Sequence, residues 1–395
     1  MCGVERTFHA PLDNRLPSRA SVYVHFPYCL AKCPYCDFVS YGTKREDIDH
    51  AGYADAVLRE IASRAESFDG RLVGSIFFGG GTPSLWEPAE LGRVLRALRD
   101  RFTCADDLEI TVECNPTSLD RARADALADV GVGRLSIGTQ SLRPEQLRFL
   151  GRLHDASGAR QAIEDALASK VPRVSTDLIF GLPEQTPEDA REQADTLAGL
   201  GLRHLSCYQL TIEPGTQFGE LAKRGRLPLA DDGRVAEAFL AIDEALAARG
   251  LRHYEISNYA MPGEEARHNV GYWRGEEYLG LGCGAYGFLR TGTGGERYRN
   301  PVDPARYMAA PASDSREPLD GPALLRERIM LGLRMADGLD LDAAAADLEL
   351  DPWTEERVRT VAQLSIRERL VREGSRLRIP PRAWLFTDDT AARLF

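Results

Sequence analysis

The chain has 395 residues, 43% of them hydrophobic, and a formal charge of −11. That is enough apolar material for one large packed domain with an appendage, or for two domains. The acidic balance argues against nonspecific nucleic-acid binding, which needs a surplus of Lys and Arg, and the eight cysteines lack the density of a disulfide scaffold.

Residues 1–19 carry no apolar core and read as a loose leader rather than a signal peptide, and Cys2 has little meaning there. A β-rich run over 21–26 follows, and it leads directly into Cys29-Leu-Ala-Lys-Cys33-Pro-Tyr-Cys36. Three thiolates at C-x3-C-x2-C spacing suit a [4Fe-4S] cluster with one iron left open. S-adenosylmethionine can chelate that iron through its amino and carboxylate groups, and an electron from the cluster then cleaves the sulfonium to a 5′-deoxyadenosyl radical. A zinc knuckle would need a second ligand pair, and none lies nearby. An oxygen-sensitive cluster implies a reducing compartment, so a cytoplasmic location is expected.

Further β-rich runs follow at 73–78, 109–114, 134–138, 174–180 and 204–210, with helix-period segments between them. Tyr53, Val57, Ile61 and Ala65 share one helical face, as do Leu91, Val94, Leu95 and Leu98. The segment 119–130 stops at Gly131, the segments 156–169 and 187–200 are helical, and 231–249 is an amphipathic helix ending at Gly250. Six alternations specify an α/β fold with parallel strands and right-handed crossovers. The expected architecture is a partial (β/α)6 TIM-like barrel spanning, with its extension, residues 20–300; an open doubly wound sheet fits the same alternation. The longest charge-free run, 72–86, is fifteen residues with four glycines, too short to span a membrane.

From residue 301 the composition turns to Pro, Ala, Asp and Arg, which reads as a linker over 301–320. A C-terminal domain, 321–395, is expected to hold helices at 322–335, 341–348 and 352–373 and a short hairpin around 377–379. This winged-helix-like cap has twelve Arg against thirteen acidic residues, so it is expected to pack on the barrel rather than read DNA.

Reactive groups in such barrels collect at the C-terminal ends of the strands. The second strand ends in Gly79-Gly-Gly-Thr-Pro-Ser84, whose small residues let bare backbone approach a ligand. The third ends in Glu113-Cys-Asn-Pro116, a carboxylate fit for ribose hydroxyls, and the fourth in Gly138-Thr-Gln140. Arg152 could fork onto a carboxylate, and Asp177 is a charge amid apolar neighbours, costly unless it is paired or faces the lumen. Cys104, Cys114, Cys207 and Cys283 have no partner at metal spacing and read as structural thiols.

Tyr23-Val-His-Phe-Pro-Tyr-Cys29, Gly79 to Ser84, Glu113 to Pro116, Arg134-Leu-Ser-Ile-Gly138, Leu150-Gly-Arg-Leu-His154 and Thr176-Asp-Leu-Ile-Phe-Gly-Leu-Pro183 together resemble the radical S-adenosylmethionine family of oxygen-independent coproporphyrinogen dehydrogenases and haem chaperones. The resemblance spans roughly residues 20 to 380 and its motifs are specific. It implies that Tyr23 and Tyr35 line the cofactor, that Gly80, Gly81 and Thr82 hold its methionyl end, and that Glu113, Gln140, Arg152 and Asp177 surround the ribose and carboxylate. The decarboxylating branch carries a fourth cysteine two residues after the third and a longer N-terminal extension. Here Asp37 and Phe38 follow Cys36 and 28 residues precede Cys29, as in the haem chaperone branch.

His268-Asn-Val-Gly-Tyr-Trp273 is similar to the HNxxYW motif tied to haem binding in that branch. By resemblance His268 is an axial ligand, with Tyr272 and Trp273 as flat apolar surface. Relatives commonly carry His where Tyr286 stands, which leaves a second ligand open. The expected function is haem binding and delivery to an apoprotein such as a respiratory enzyme, with an electron donor such as a flavodoxin or ferredoxin. The alternative is oxidative decarboxylation of coproporphyrinogen III.

Overall fold

A computed structural model of the chain describes residues 19–311 and 315–395. The leader expected over 1–19 lies, except for Arg19, outside the described residues. Six strands run parallel and in chain order: β1 (Arg19–Phe26), β2 (Leu72–Gly80), β3 (Cys104–Cys114), β4 (Arg134–Gln140), β5 (Arg173–Phe180) and β6 (His204–Gln209). Residues alternate between two faces along each strand. In β1, Val22, Val24 and Phe26 are fully buried against the outer helices. Ser21, Tyr23 and His25 turn into the lumen, where Ser21 meets Ser75 and Tyr23 stacks on Phe77.

The crossover helices begin where the sequence supplies caps. Asp49, Asp120, Asp155, Thr186 and Asp231 each accept a hydrogen bond from a first-turn N–H, at the starts of His50–Arg64, Arg121–Asp129, Ala156–Leu167, Pro187–Gly199 and Asp232–Ala248. Such caps satisfy amide donors that the helix cannot, and each contributes about 1 kcal/mol. Pro88–Arg101 has no side-chain cap and opens instead on Pro at its first turn, where the missing N–H costs nothing.

The sheet is wider than the six expected strands. Glu277–Leu281 adds in parallel beside β1, followed by antiparallel Tyr286–Thr291, Gly294–Arg299 and Ser315–Leu319. Beyond β6 lie antiparallel Asn258–Ala260 and Arg252–Glu255. The stretch read as a linker, 301–320, carries a helix, Pro304–Ala309, and that last edge strand.

The C-terminal part holds helices Gly321–Gly332, Leu341–Ala345, Glu355–Ile366 and Thr387–Ala392 beside a three-stranded sheet. The expected long helix over 352–373 stops at Ile366. Glu368 takes a left-handed φ of 55°, and Val371–Glu373 turns back at Gly374 to pair with Arg376–Arg378. Sheet pairing overrides a helix-compatible pattern there. The second core, around Ile329, Leu341, Leu377 and Trp384, includes Phe288 and Leu319 from the main sheet, so the cap is packed onto the barrel.

Candidate functional site

A cavity of about 670 Å³ opens at the C-terminal ends of the strands, between the barrel and the cap. Its wall contains Cys29, Cys33 and Cys36 on the loop after β1, together with Tyr35, Gly80, Gly81, Thr82, Glu113, Gln140, Arg152 and Asp177. The structure therefore brings eleven of the residues singled out in the sequence into one space.

The cysteine loop is held from three directions. Thr82 Oγ1 donates to Cys29 Sγ at 3.4 Å, Arg152 Nη1 to Cys33 Sγ at 3.5 Å, and Cys36 Sγ lies 3.8 Å from Ser40 Oγ. Burial pushes the Cys29 thiol up to about 11 and raises that of Cys36. Iron binding must therefore expel protons from these sulfurs, the usual linkage between thiolate ligation and pH. No three donors converge on a single metal ion among the described residues. A cubane needs no such point, because its three thiolates bind three different irons.

The glycine turn after β2 is fitted to a close approach. Gly80 has φ of +112°, and a Cβ there would lie 2.5 Å from the His25 ring; one on Gly81 would lie 2.7 Å from the Tyr28 carbonyl. Only glycine gives this bare cradle beside the cysteines. Gln140, at the end of β4, holds a φ of 66°, an uncommon conformation for a non-glycine residue and one that concentrates at ligand sites. Arg152 is locked by its second nitrogen on Gly138 O at 2.8 Å, while its buried Nε has no partner.

Two buried carboxyls share the cavity with this guanidinium. Burial, helped by the charge of Asp177, pushes Glu113 up to about 8, and burial pushes Asp177 up to about 6. Gly80 N–H donates to Glu113 at 3.0 Å and Ser136 to Asp177 at 3.3 Å. Two buried carboxyl acceptors, a cradle of glycines, and an orphaned guanidinium N–H fit the ammonium, carboxylate and sulfonium of S-adenosylmethionine.

Four residues expected at ligands lie elsewhere. Tyr23 is one layer deeper: its ring passes under Gly79, where a Cβ would touch it at 2.9 Å, and its hydroxyl bonds His25 Nδ1 at 2.9 Å. It lies behind the cavity wall without lining it. His268, Tyr272 and Trp273 lie on the helix Arg267–Trp273, outside the cavity lining: His268 and Tyr272 pack deep in the lumen, and Trp273 lies under the guanidinium of Arg334, 5.7 Å away. There His268 is 2% exposed and stacks on Phe77 at 4.8 Å, with no space for a macrocycle. Tyr286 is exposed, outside the cavity lining, under the Arg299 guanidinium.

Other residues of the cavity carried no sequence signal. Trp384 to Asp389 of the cap, with Arg334, form its far wall, and Phe38 stands 58% exposed at its mouth. His25 bridges the cysteine loop to the barrel, its Nε2 lying 2.7 Å from Val39 O; its place after Tyr23 and before Cys29 is the one hint the sequence offers.

Comparison with known proteins agrees with this geometry. Residues 23–197 match the radical SAM superfamily and residues 319–386 the HemN C-terminal domain. The heme chaperone HemW of Escherichia coli is 41% identical over 268 residues, covering 68% of this chain and 69% of that protein. The mitochondrial radical S-adenosyl methionine domain-containing protein 1 of Danio rerio is 36% identical over 339 residues, 83% and 76% of the two chains. Among solved structures, the coproporphyrinogen III oxidase HemN of Escherichia coli superposes with a TM-score of 0.80 at 22% identity, over 97% of this chain and 91% of that one.

Proposed function

The chain belongs to the radical S-adenosylmethionine family of HemW haem chaperones, and on that premise we propose that it binds haem and hands it to an apoprotein such as a respiratory enzyme. The observation that carries this reading is 41% identity to a haem chaperone, joined to a cysteine loop in which Asp37 and Phe38 stand where a fourth cysteine would mark the decarboxylating branch. The likeness to the oxidase, at 22% identity, is a likeness of fold.

In this reading Cys29, Cys33 and Cys36 would hold a [4Fe-4S] cluster, which would supply the reducing electron for S-adenosylmethionine chemistry. Arg152, already anchored on Gly138, offers its free Nε–H to the methionyl carboxylate. Gly80, Gly81 and Thr82 present backbone to the methionyl end, while Glu113, Gln140 and Asp177 accept from ribose hydroxyls and cationic groups. Tyr35 packs the cofactor from the cysteine loop. His268 would ligate the haem iron, with Tyr272 and Trp273 beside it on the same helix. No described helix is long and apolar enough to cross a membrane. A cytoplasmic site of action and a flavodoxin or ferredoxin as electron donor complete the proposal.

Titration of the purified full chain with haem tests it. Saturable binding at about one equivalent, read in the Soret band, is expected. Absence of binding would refute the chaperone reading, and conversion of coproporphyrinogen III to protoporphyrinogen by the reduced protein with S-adenosylmethionine would replace it with the oxidase.

A further inference from the structure

The His268 ring occupies a fitted seat inside the barrel. Ser75 Oγ donates to Ser21 Oγ at 2.9 Å, so it accepts from His268 Nδ1, also at 2.9 Å. That hydrogen bond sets the tautomer and leaves Nε2 with a lone pair, buried and without a partner. Phe77 stacks on the ring at 4.8 Å, Tyr272 meets it edge-on at 4.7 Å, and Tyr23 lies at 6.3 Å. The nitrogen suited to iron thus points into packed protein.

The segment leading into this helix is tied to the barrel floor by charge. Glu109 accepts from Arg267 N at 2.9 Å, and Arg134, fully buried and paired with Glu109 at 3.0 Å, donates to the carbonyls of Glu264 and Glu265. The Glu264 carboxylate takes Arg173 at 3.3 Å and Arg203 at 3.2 Å. These side chains come from the middle of β3, the first residues of β4 and β5 and the turn before β6, so the tie spans half the barrel.

We propose that the lumen seat of His268 and haem ligation by His268 are mutually exclusive, the helix Arg267–Trp273 being a floor that must leave the barrel for haem to load. This rests on the assignment of His268 as haem ligand made above. A planar macrocycle cannot reach Nε2 while Phe77, Tyr23 and Tyr272 enclose it, and pulling the ring out breaks the Ser75 hydrogen bond. Whatever stabilises the seat therefore weakens haem binding by the same factor, because a ligand shifts an equilibrium only through its differential affinity.

The prediction has an unusual sign: removing a partner of the ligand tightens ligation. Haem titrations of the full-length parent, Ser75→Ala and Glu264→Gln test it. A neutral buried hydrogen bond contributes about 0.5–1.5 kcal/mol net, so Ser75→Ala should bind haem roughly twofold to tenfold more tightly. Glu264→Gln, which slackens the tie without touching the seat, should shift affinity the same way. Unchanged or weaker binding by both variants would overturn the proposal, since that is what a fixed, preformed ligand site predicts. Amide hydrogen exchange of the parent gives a reading independent of mutation: residues 263–276 should exchange faster with haem bound, and equal or greater protection would contradict the idea. If His268→Ala keeps the parent's haem affinity, this inference falls while haem chaperoning stands; if the parent binds no haem, both fall.

Discussion

The two ends of the barrel are built on opposite principles. At the mouth, glycines 80 and 81 leave bare backbone, Arg152 Nε lacks a partner, and Glu113 and Asp177 are pushed toward their neutral forms. At the floor, Arg134 and Glu109 are almost wholly buried yet paired with each other and with backbone, and aromatic rings enclose His268. Bare backbone and carboxyls that readily take up protons mark an end prepared to receive something; the floor is closed by ion pairs and packed rings, although Arg134 Nη1 and His268 Nε2 are buried there without partners. Chemistry therefore collects at the mouth, while the motif tied by resemblance to haem sits in the closed end.

The largest effects should come from the cysteines. Replacing Cys33 with Ala should remove essentially all cluster iron after anaerobic reconstitution, read by iron content and broad visible absorbance, while far-UV circular dichroism stays that of the parent. Full iron in the variant would break the mouth half of the comparison. Next comes the floor: Glu109→Ala leaves Arg134 as an uncompensated buried charge, a change that costs about 3–5 kcal/mol. Urea unfolding should show a loss of that size, and a loss under 1 kcal/mol would mean the floor is not held as described.

The mouth carboxyls sharpen the contrast through pH. Glu113 titrates near 4.5 when unfolded and about 8 in the fold, so the folded state binds the extra proton. Stability of the cofactor-free protein should thus be greatest at low pH with respect to this group and decline as pH rises from about 4.5 through about 8. Glu113→Gln should flatten that slope in thermal melts, and an identical slope would remove the carboxyl from the account. The smallest effect lies outside both ends. Arg101 pairs with Asp69 at 2.7 Å on the surface, where solvent screens the charges, and Arg101→Ala should leave the thermal melting midpoint essentially that of the parent; a clear drop would contradict this.

The central strands were legible because their β-branched and aromatic runs need no tertiary information to be recognised. The flanking ones were not: Arg252–Glu255 is charged, and 277–299 mixes glycines with aromatics, so only pairing against the finished sheet makes them strands. Spacing alone located the cysteines, strand ends located Glu113 and Gln140, and a charge amid apolar neighbours located Asp177. The depth of Tyr23 was not legible, because alternation places a side chain inward without saying at which layer of the lumen it stands. Nor was the cap's share of the cavity, since Trp384 and Phe386 are distant from Cys29 in the chain and meet it only through packing. The HNxxYW sequence signals aromatic surface, and its amphipathic helix is equally suited to a packed floor.

The most direct test is electron paramagnetic resonance of the anaerobically reconstituted, dithionite-reduced protein, recorded with and without S-adenosylmethionine. A cluster on three thiolates with an open iron at the mouth predicts a reduced-cluster signal whose line shape changes when the cofactor is added. No signal, or one indifferent to S-adenosylmethionine, would contradict the assignment of that end of the barrel.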